Sequence, residues 1–120
     1  MTKVRQAFGA WGEGIAAEYL LRSGMILLER NWRCPDGELD IIAREAETIV
    51  FCEVKTRRSN AFGSAAGAVV GQKARRLRRL AAQWLALREP GSADVRFDVI
   101  CVMPRRQGPP EIDHLRGALT

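Results

Sequence analysis

The chain has 120 residues, 47% of them hydrophobic and 28% charged, with a net charge of +5 at pH 7. That composition fits one soluble domain with its own core and argues against a disordered or fibrous chain. No apolar run reaches membrane-spanning length, and the first residues lack a signal peptide's apolar segment. Three widely spaced cysteines (Cys34, Cys52, Cys101) form no CxxC pair, which argues against a zinc site or disulfide framework and for a reducing, cytoplasmic setting.

Met1 to Phe8 reads as a loose start. A helix follows from Gly9 to Ser23, because Trp11, Ile15, Ala16, Tyr19 and Leu20 recur at helical spacing and make one apolar face. Gly24 fits the left-handed position just past a helix end. Gly9, Gly12 and Gly14 weaken the first turns but permit close backbone approach to a neighbour or ligand. Glu13 lies at one edge of the apolar stripe and Glu18 at the other, so helical geometry does not choose between them.

Met25 to Trp32 reads as a first strand, with Trp32 as core filler, and Pro35-Asp36-Gly37 as a turn. The central stretch, Gly37 to Thr56 (GELDIIAREAETIVFCEVKT), alternates with period two in two runs and reads as a hairpin. One register sets Asp40 opposite Glu53, Glu38 beside Lys55 and Ile42 beside Phe51. It puts Leu39, Ile41, Ala43, Val50, Cys52 and Val54 together on the other face. Glu45 to Thr48 is then a four-residue loop. Facing carboxylates repel. Lys55 offsets part of this; a hard divalent cation does so better, since Mg²⁺ favours carboxylate oxygens. A plain surface patch with a Glu38–Lys55 ion pair is the other reading of the same spacing.

Arg57 to Gly67 is rich in small and polar residues and reads as a loop. A helix is expected from Ala68 to Arg88, with Leu77, Leu80, Ala81, Trp84 and Leu85 as its buried stripe. Arg75, Arg76, Arg78 and Arg79 lie off that stripe. Lys73 falls inside it, either snorkelling at the rim of the core or reaching towards the carboxylates or a bound phosphate. From Val54 to Arg79 there are eight basic residues and no acid; with +8 there and +5 in total, the rest nets −3. So concentrated a charge points to a polyanion such as nucleic acid. Glu89 to Ser92 stops the helix. Val95 to Met103 reads as a central strand parallel to the second hairpin strand, with Asp98 in a structural pairing. Pro104 to Pro110 is a loop, Glu111 to Leu115 a short edge strand, and His114 a surface residue.

The order of elements, with Asp40 and then Glu53-Val54-Lys55 on adjacent strands, resembles the PD-(D/E)xK nucleases; Leu39 stands where their proline usually stands. Across nearly the whole chain, Gly12-Glu13, Asn31-Trp32-Arg33, Gly37 to Ile42, Phe51 to Arg57, Phe62-Gly63, Lys73 and Arg96 to Val99 resemble the YraN family of bacterial proteins. That family is regarded as distantly related to archaeal Holliday-junction resolvases. The resemblance implies a restriction-endonuclease-like α/β fold, with a central mixed sheet of four to five strands flanked by helices. It implies a Mg²⁺- or Mn²⁺-dependent DNA endonuclease acting on branched or single-stranded DNA in repair, recombination or uptake. Asp40, Glu53 and the main-chain carbonyl of Val54 would ligate the metal, Lys55 would position water or stabilise developing charge, and Glu13 is the further helix glutamate. Arg33, Arg57, Lys73, Arg75, Arg76 and Arg79 would hold phosphates. Resolving a four-way junction needs two active sites, which implies a homodimer. A non-catalytic nucleic-acid-binding adaptor, or a nuclease active only with a helicase or recombination protein, is the competing reading.

Overall fold

The computed structural model describes residues 2–58, 72–88 and 94–118. Helix α1 (Thr2–Arg22) precedes strands β1 (Ile26–Cys34), β2 (Gly37–Glu45) and β3 (Thr48–Thr56). Helix α2 (Gln72–Arg88) and strands β4 (Asp94–Met103) and β5 (Glu111–Leu115) follow. The strands form one five-stranded sheet in the order β1-β2-β3-β4-β5. Only β3 and β4 are parallel; the other neighbours are antiparallel. With helices on both faces, this is an α/β architecture consistent with a restriction-endonuclease-like fold.

Helix α1 begins at Thr2 rather than Gly9. The segment Thr2–Phe8 contains no proline or glycine to prevent it, and Val4, Phe8 and Trp11 continue the helical stripe towards the N-terminus. The helix ends as Gly24 dictates. Gly24 takes φ +94°, the Met25 N–H donates to the Leu20 carbonyl and the Gly24 N–H to that of Leu21, a Schellman cap. Met25 is therefore a buried cap residue, and β1 starts one residue later than its apolar run suggests.

Three of the expected hairpin pairs form, Ile41 facing Cys52, Ile42 facing Phe51 and Ala43 facing Val50, but towards Asp40 the pairing stops at Ile41–Cys52, so Asp40 is not set opposite Glu53 nor Glu38 opposite Lys55. The loop is tighter than expected. Arg44 pairs with Ile49 and Glu45 with Thr48, leaving Ala46 and Glu47 as a two-residue turn with Ala46 at φ +54°. Instead of one apolar face, the sheet has two. Val50, Cys52 and Val54 meet Ala16, Ala17 and Leu20 of α1. Ile49 and Phe51 meet Leu77, Leu80 and Trp84 of α2 on the opposite side. Leu39 was expected beside Ile41 but packs with the α2 layer, while Ile41 packs with the α1 layer. The strand's alternation thus breaks at Asp40. Trp32 packs against the α2 layer as core filler.

His114 is not a surface residue: its side chain is 5% exposed. Its Nε2 meets Asp98 at 2.7 Å and its Nδ1 meets the Tyr19 hydroxyl at 2.8 Å. The ionised Asp98 accepts only, so Nε2 carries the proton. Arg96 and the Gly117 N–H also donate to Asp98. Burial opposes the Asp98 charge, but these donors prevail and hold its pKa down at about 2. All three cysteines are free. Among the described residues, no helix is long and apolar enough to cross a membrane. The expected loop residues 59–67, the helix residues 68–71, the stop at 89–92 and the Phe62-Gly63 motif lie outside the described residues.

Candidate metal and phosphate site

Where β2 and β3 run past the Ile41–Cys52 pair, Asp40 occupies the place of a strand partner. Its Oδ2 accepts the Val54 N–H at 2.9 Å. The break in alternation turns Asp40 towards Glu38 and towards Glu13 on α1. Carboxylate oxygens of Glu13, Glu38 and Asp40 lie within 4.8 Å of one another. Glu18 is exposed and belongs to no such group among the described residues, so the fold makes the choice that helical geometry left open.

Glu13 reaches this position because α1 comes very close to the sheet at Gly12. A β-carbon there would collide with the Thr56 side chain. The expected close approach thus falls on Gly12; Gly9 and Gly14 have open space.

The carboxylates are bridged by a residue that the sequence singled out only as part of a motif. Asn31 lies between the Arg30–Ile41 and Trp32–Leu39 pairs, opposite Asp40, at φ +53°. Its amide donates to Glu13 at 2.7 Å and to Glu38 at 3.1 Å. Asparagine tolerates the left-handed conformation better than most residues, so the type fits both backbone and bridge. An asparagine at the polar end of an apolar strand was the available signal. Glu38 takes a second donor from Arg33 at 2.7 Å, on an arginine that is otherwise exposed. The Glu38–Lys55 pairing is not formed; Arg33 faces Glu38 across the β1–β2 ladder and takes its place.

Glu53 lies outside the three-acid group. It points to the α2 side, where Lys73 meets its carboxylate at 2.9 Å and Lys55 at 3.5 Å. Lys73 therefore reaches over the sheet to the acids. Asp40 feels Glu53 all the same. Burial, then the Glu53 charge, push the Asp40 pKa up to about 7; the Val54 N–H opposes this and the Glu13 and Glu38 charges add to it. Burial and the neighbouring Lys73 lower the Lys55 pKa against the pull of Glu53. Burial also works against Lys73, but its contacts with Lys55 and Glu53 outweigh that and raise its pKa. Lys55 is thus the lysine of the pair that gives up its proton more readily.

The group is made wholly of hard oxygen donors, and burial together with the surrounding carboxylates disfavours the charge of its central acid. Both features suit a divalent cation of the Mg²⁺ or Mn²⁺ type. Of the implied ligand set, Asp40 is in this group, Glu53 is paired with lysines, and Val54 offers its N–H to Asp40. Lys73, which meets Glu53, lines a groove of about 620 Å³ with Arg75, Arg76 and Arg79. Arg57 follows β3, its N–H donating to the Val102 carbonyl.

The family model of UPF0102, described as an uncharacterised protein family, matches residues 12–102. A UPF0102 protein of Frankia casuarinae is 51% identical over 116 residues, covering 97% of this chain and 98% of the relative. One from Beutenbergia cavernae is 51% identical over 115 residues, covering 96% and 98%. One from Mycobacterium sp. (strain KMS) is 55% identical over 118 residues, covering 97% and 87%.

Proposed function

The chain belongs to the UPF0102 (YraN) family, and from its site we propose that it is a metal-dependent endonuclease acting on DNA, with branched or single-stranded DNA as the preferred substrate. The observation that carries this reading is the Glu13–Glu38–Asp40 group near Glu53, whose partner Lys73 lines a groove with Arg75, Arg76 and Arg79.

Each residue has a task in phosphodiester hydrolysis. Asp40 would be the central ligand, with Glu13 and Glu38, and Glu53, now paired with lysines, would be a further one. A divalent cation bound there would polarise the scissile phosphate and lower the pKa of a coordinated water. Lys55 has its charge disfavoured by burial, so it can hold the attacking water and take its proton, or stabilise charge developing on the phosphate. Lys73 keeps Glu53 in place. Arg75, Arg76 and Arg79 would grip flanking phosphates, which positions a strand without reading its sequence. Arg33, paired with Glu38, and Arg57, which follows β3, would add further phosphate contacts.

The test is cleavage of labelled four-way junction, flap, single-stranded and duplex DNA with Mg²⁺ or Mn²⁺, beside Glu53→Ala. Metal-dependent cutting that disappears in the variant supports the reading, and the substrate cut fastest names the specificity. Tight binding to every substrate without cleavage rejects an autonomous nuclease. It leaves an adaptor or an enzyme that needs a helicase or recombination protein.

A further inference from the structure

The buried stripe of α1 does not run its full length. Ala16, Ala17 and Leu20 are in the core, whereas Trp11 is 39% exposed and Val4 61% exposed. Phe8 and Trp11, one turn apart, stack on each other with ring centroids 5.9 Å apart and planes 8° from parallel. The Arg58 guanidinium lies 4.4 Å from the Phe8 ring centroid. Val4, Arg5, Phe8 and Arg58 line a recess of about 250 Å³. The recess lies at the N-terminal turns of α1, the helix that also carries Glu13, and Gly12 of that helix rests on Thr56, two residues before Arg58.

We propose that Phe8 and Trp11 form a stacking platform for an unpaired nucleobase, with Arg5 and Arg58 holding the phosphates on either side of it. The inference rests on the nuclease reading and supplies its substrate class: a strand with at least one unpaired base.

Three features select this occupant. The exposed Trp11 ring, held parallel by Phe8, and the guanidinium plane offer π-faces, which every base matches irrespective of sequence. In a duplex those base faces are covered by their neighbours, so only an unpaired base can use the platform. The recess, at about 250 Å³, is smaller than a drug-sized ligand pocket and far too small for a double helix. A second copy of the chain is disfavoured by charge, because a two-fold contact through this face would bring Lys3, Arg5 and Arg58 against themselves.

The test is fluorescence anisotropy in EDTA with two labelled DNAs of equal phosphate count, a blunt duplex and a duplex with a single-stranded overhang. The wild type should bind the overhang DNA more tightly. Phe8→Leu and Trp11→Leu, which keep apolar bulk and remove the rings, should each lose about tenfold on the overhang DNA and little on the blunt duplex. A 2-aminopurine in the overhang should be quenched on binding by the wild type and not by Phe8→Leu. An Arg75→Gln, Arg76→Gln, Arg79→Gln triple variant should weaken both DNAs alike. Equal binding of the two DNAs by the wild type, or equal losses on both in the ring variants, overturns the platform and leaves the nuclease reading standing. Ring variants that turn a dimer into a monomer without changing the preference overturn it as well. No binding to either DNA overturns both.

Discussion

The Oδ2 of Asp40 accepts the Val54 backbone N–H at 2.9 Å, so a side chain stands where the next rung of the β2–β3 ladder would be. That substitution ends the β2–β3 pairing inside the sheet, where the acids collect. It also leaves a half-buried carboxyl among three others, with its pKa raised to about 7.

A stability consequence follows from the direction of that shift. The folded-state pKa lies above the ordinary aspartate value of about 4. The stability Asp40 contributes is therefore fully present below pH 4 and lost as pH rises through about 7. Asp40→Asn keeps an acceptor for the Val54 amide and removes the charge. Melts in EDTA should find the variant more stable than the wild type at pH 8, by about 1–2 kcal/mol, with the gap closing towards pH 5. Mn²⁺ should stabilise the wild type and leave the variant unchanged.

Lys55 and Lys73 share Glu53, and Lys73 depresses the Lys55 pKa. In Lys73→Met, the Lys55 pKa should rise, as read by NMR titration of its side chain. If the lysine's proton is used in cleavage, the alkaline part of the pH–rate profile should move up with it. An unmoved Lys55 titration would remove Lys73 from the electrostatics of the site.

The Asp98 network spans α1, β4 and β5 through Tyr19, His114 and Arg96. Arg96 also pairs with Glu45, which Arg116 meets from the other side. Asp98→Ala leaves buried donors without an acceptor and should cost about 3–5 kcal/mol in urea unfolding at pH 7. The Asp98 pKa is depressed, so its contribution is present above about pH 4 and lost as pH falls through about 2. The gap between wild type and variant should therefore narrow in acid.

Ala46 holds φ +54° at the β2–β3 turn, a conformation that crowds its β-carbon. Ala46→Gly relieves that strain at some cost in unfolded-state entropy, for a net gain of about 0.5–1 kcal/mol. Thermal melts check this, and a loss of stability would show that the turn carries no such strain.

Much of this molecule is legible in the residues themselves. Period-two alternation gives the register of β2 and β3 from Ile41–Cys52 to Ala43–Val50, because each strand carries apolar residues for a helix-covered layer. The apolar run around Val99 and Ile100 announced a central strand parallel to β3. What stayed hidden has one physical character: it depends on atoms that meet only in three dimensions. The break in alternation at Asp40 moves Leu39 to the α2 layer, and no periodicity shows it. His114 is polar and near the C-terminal end of the chain, yet Tyr19 and Asp98 bury it. Trp11 fits the apolar stripe of α1, but the sheet does not reach far enough to cover it. Asn31 takes its significance from a left-handed backbone and from two glutamates remote in sequence.

The central claim is that the acids beside Asp40 hold a cation that cuts DNA. The direct measurement is the rate of Mn²⁺-dependent cleavage of a labelled flap substrate by the wild type and by Asp40→Asn, with both proteins shown to be folded and to bind the substrate in EDTA. The account predicts cleavage by the wild type and a loss of at least about a hundredfold in the variant. Equal cleavage by the two proteins, or none by a wild type that binds the DNA, would contradict it.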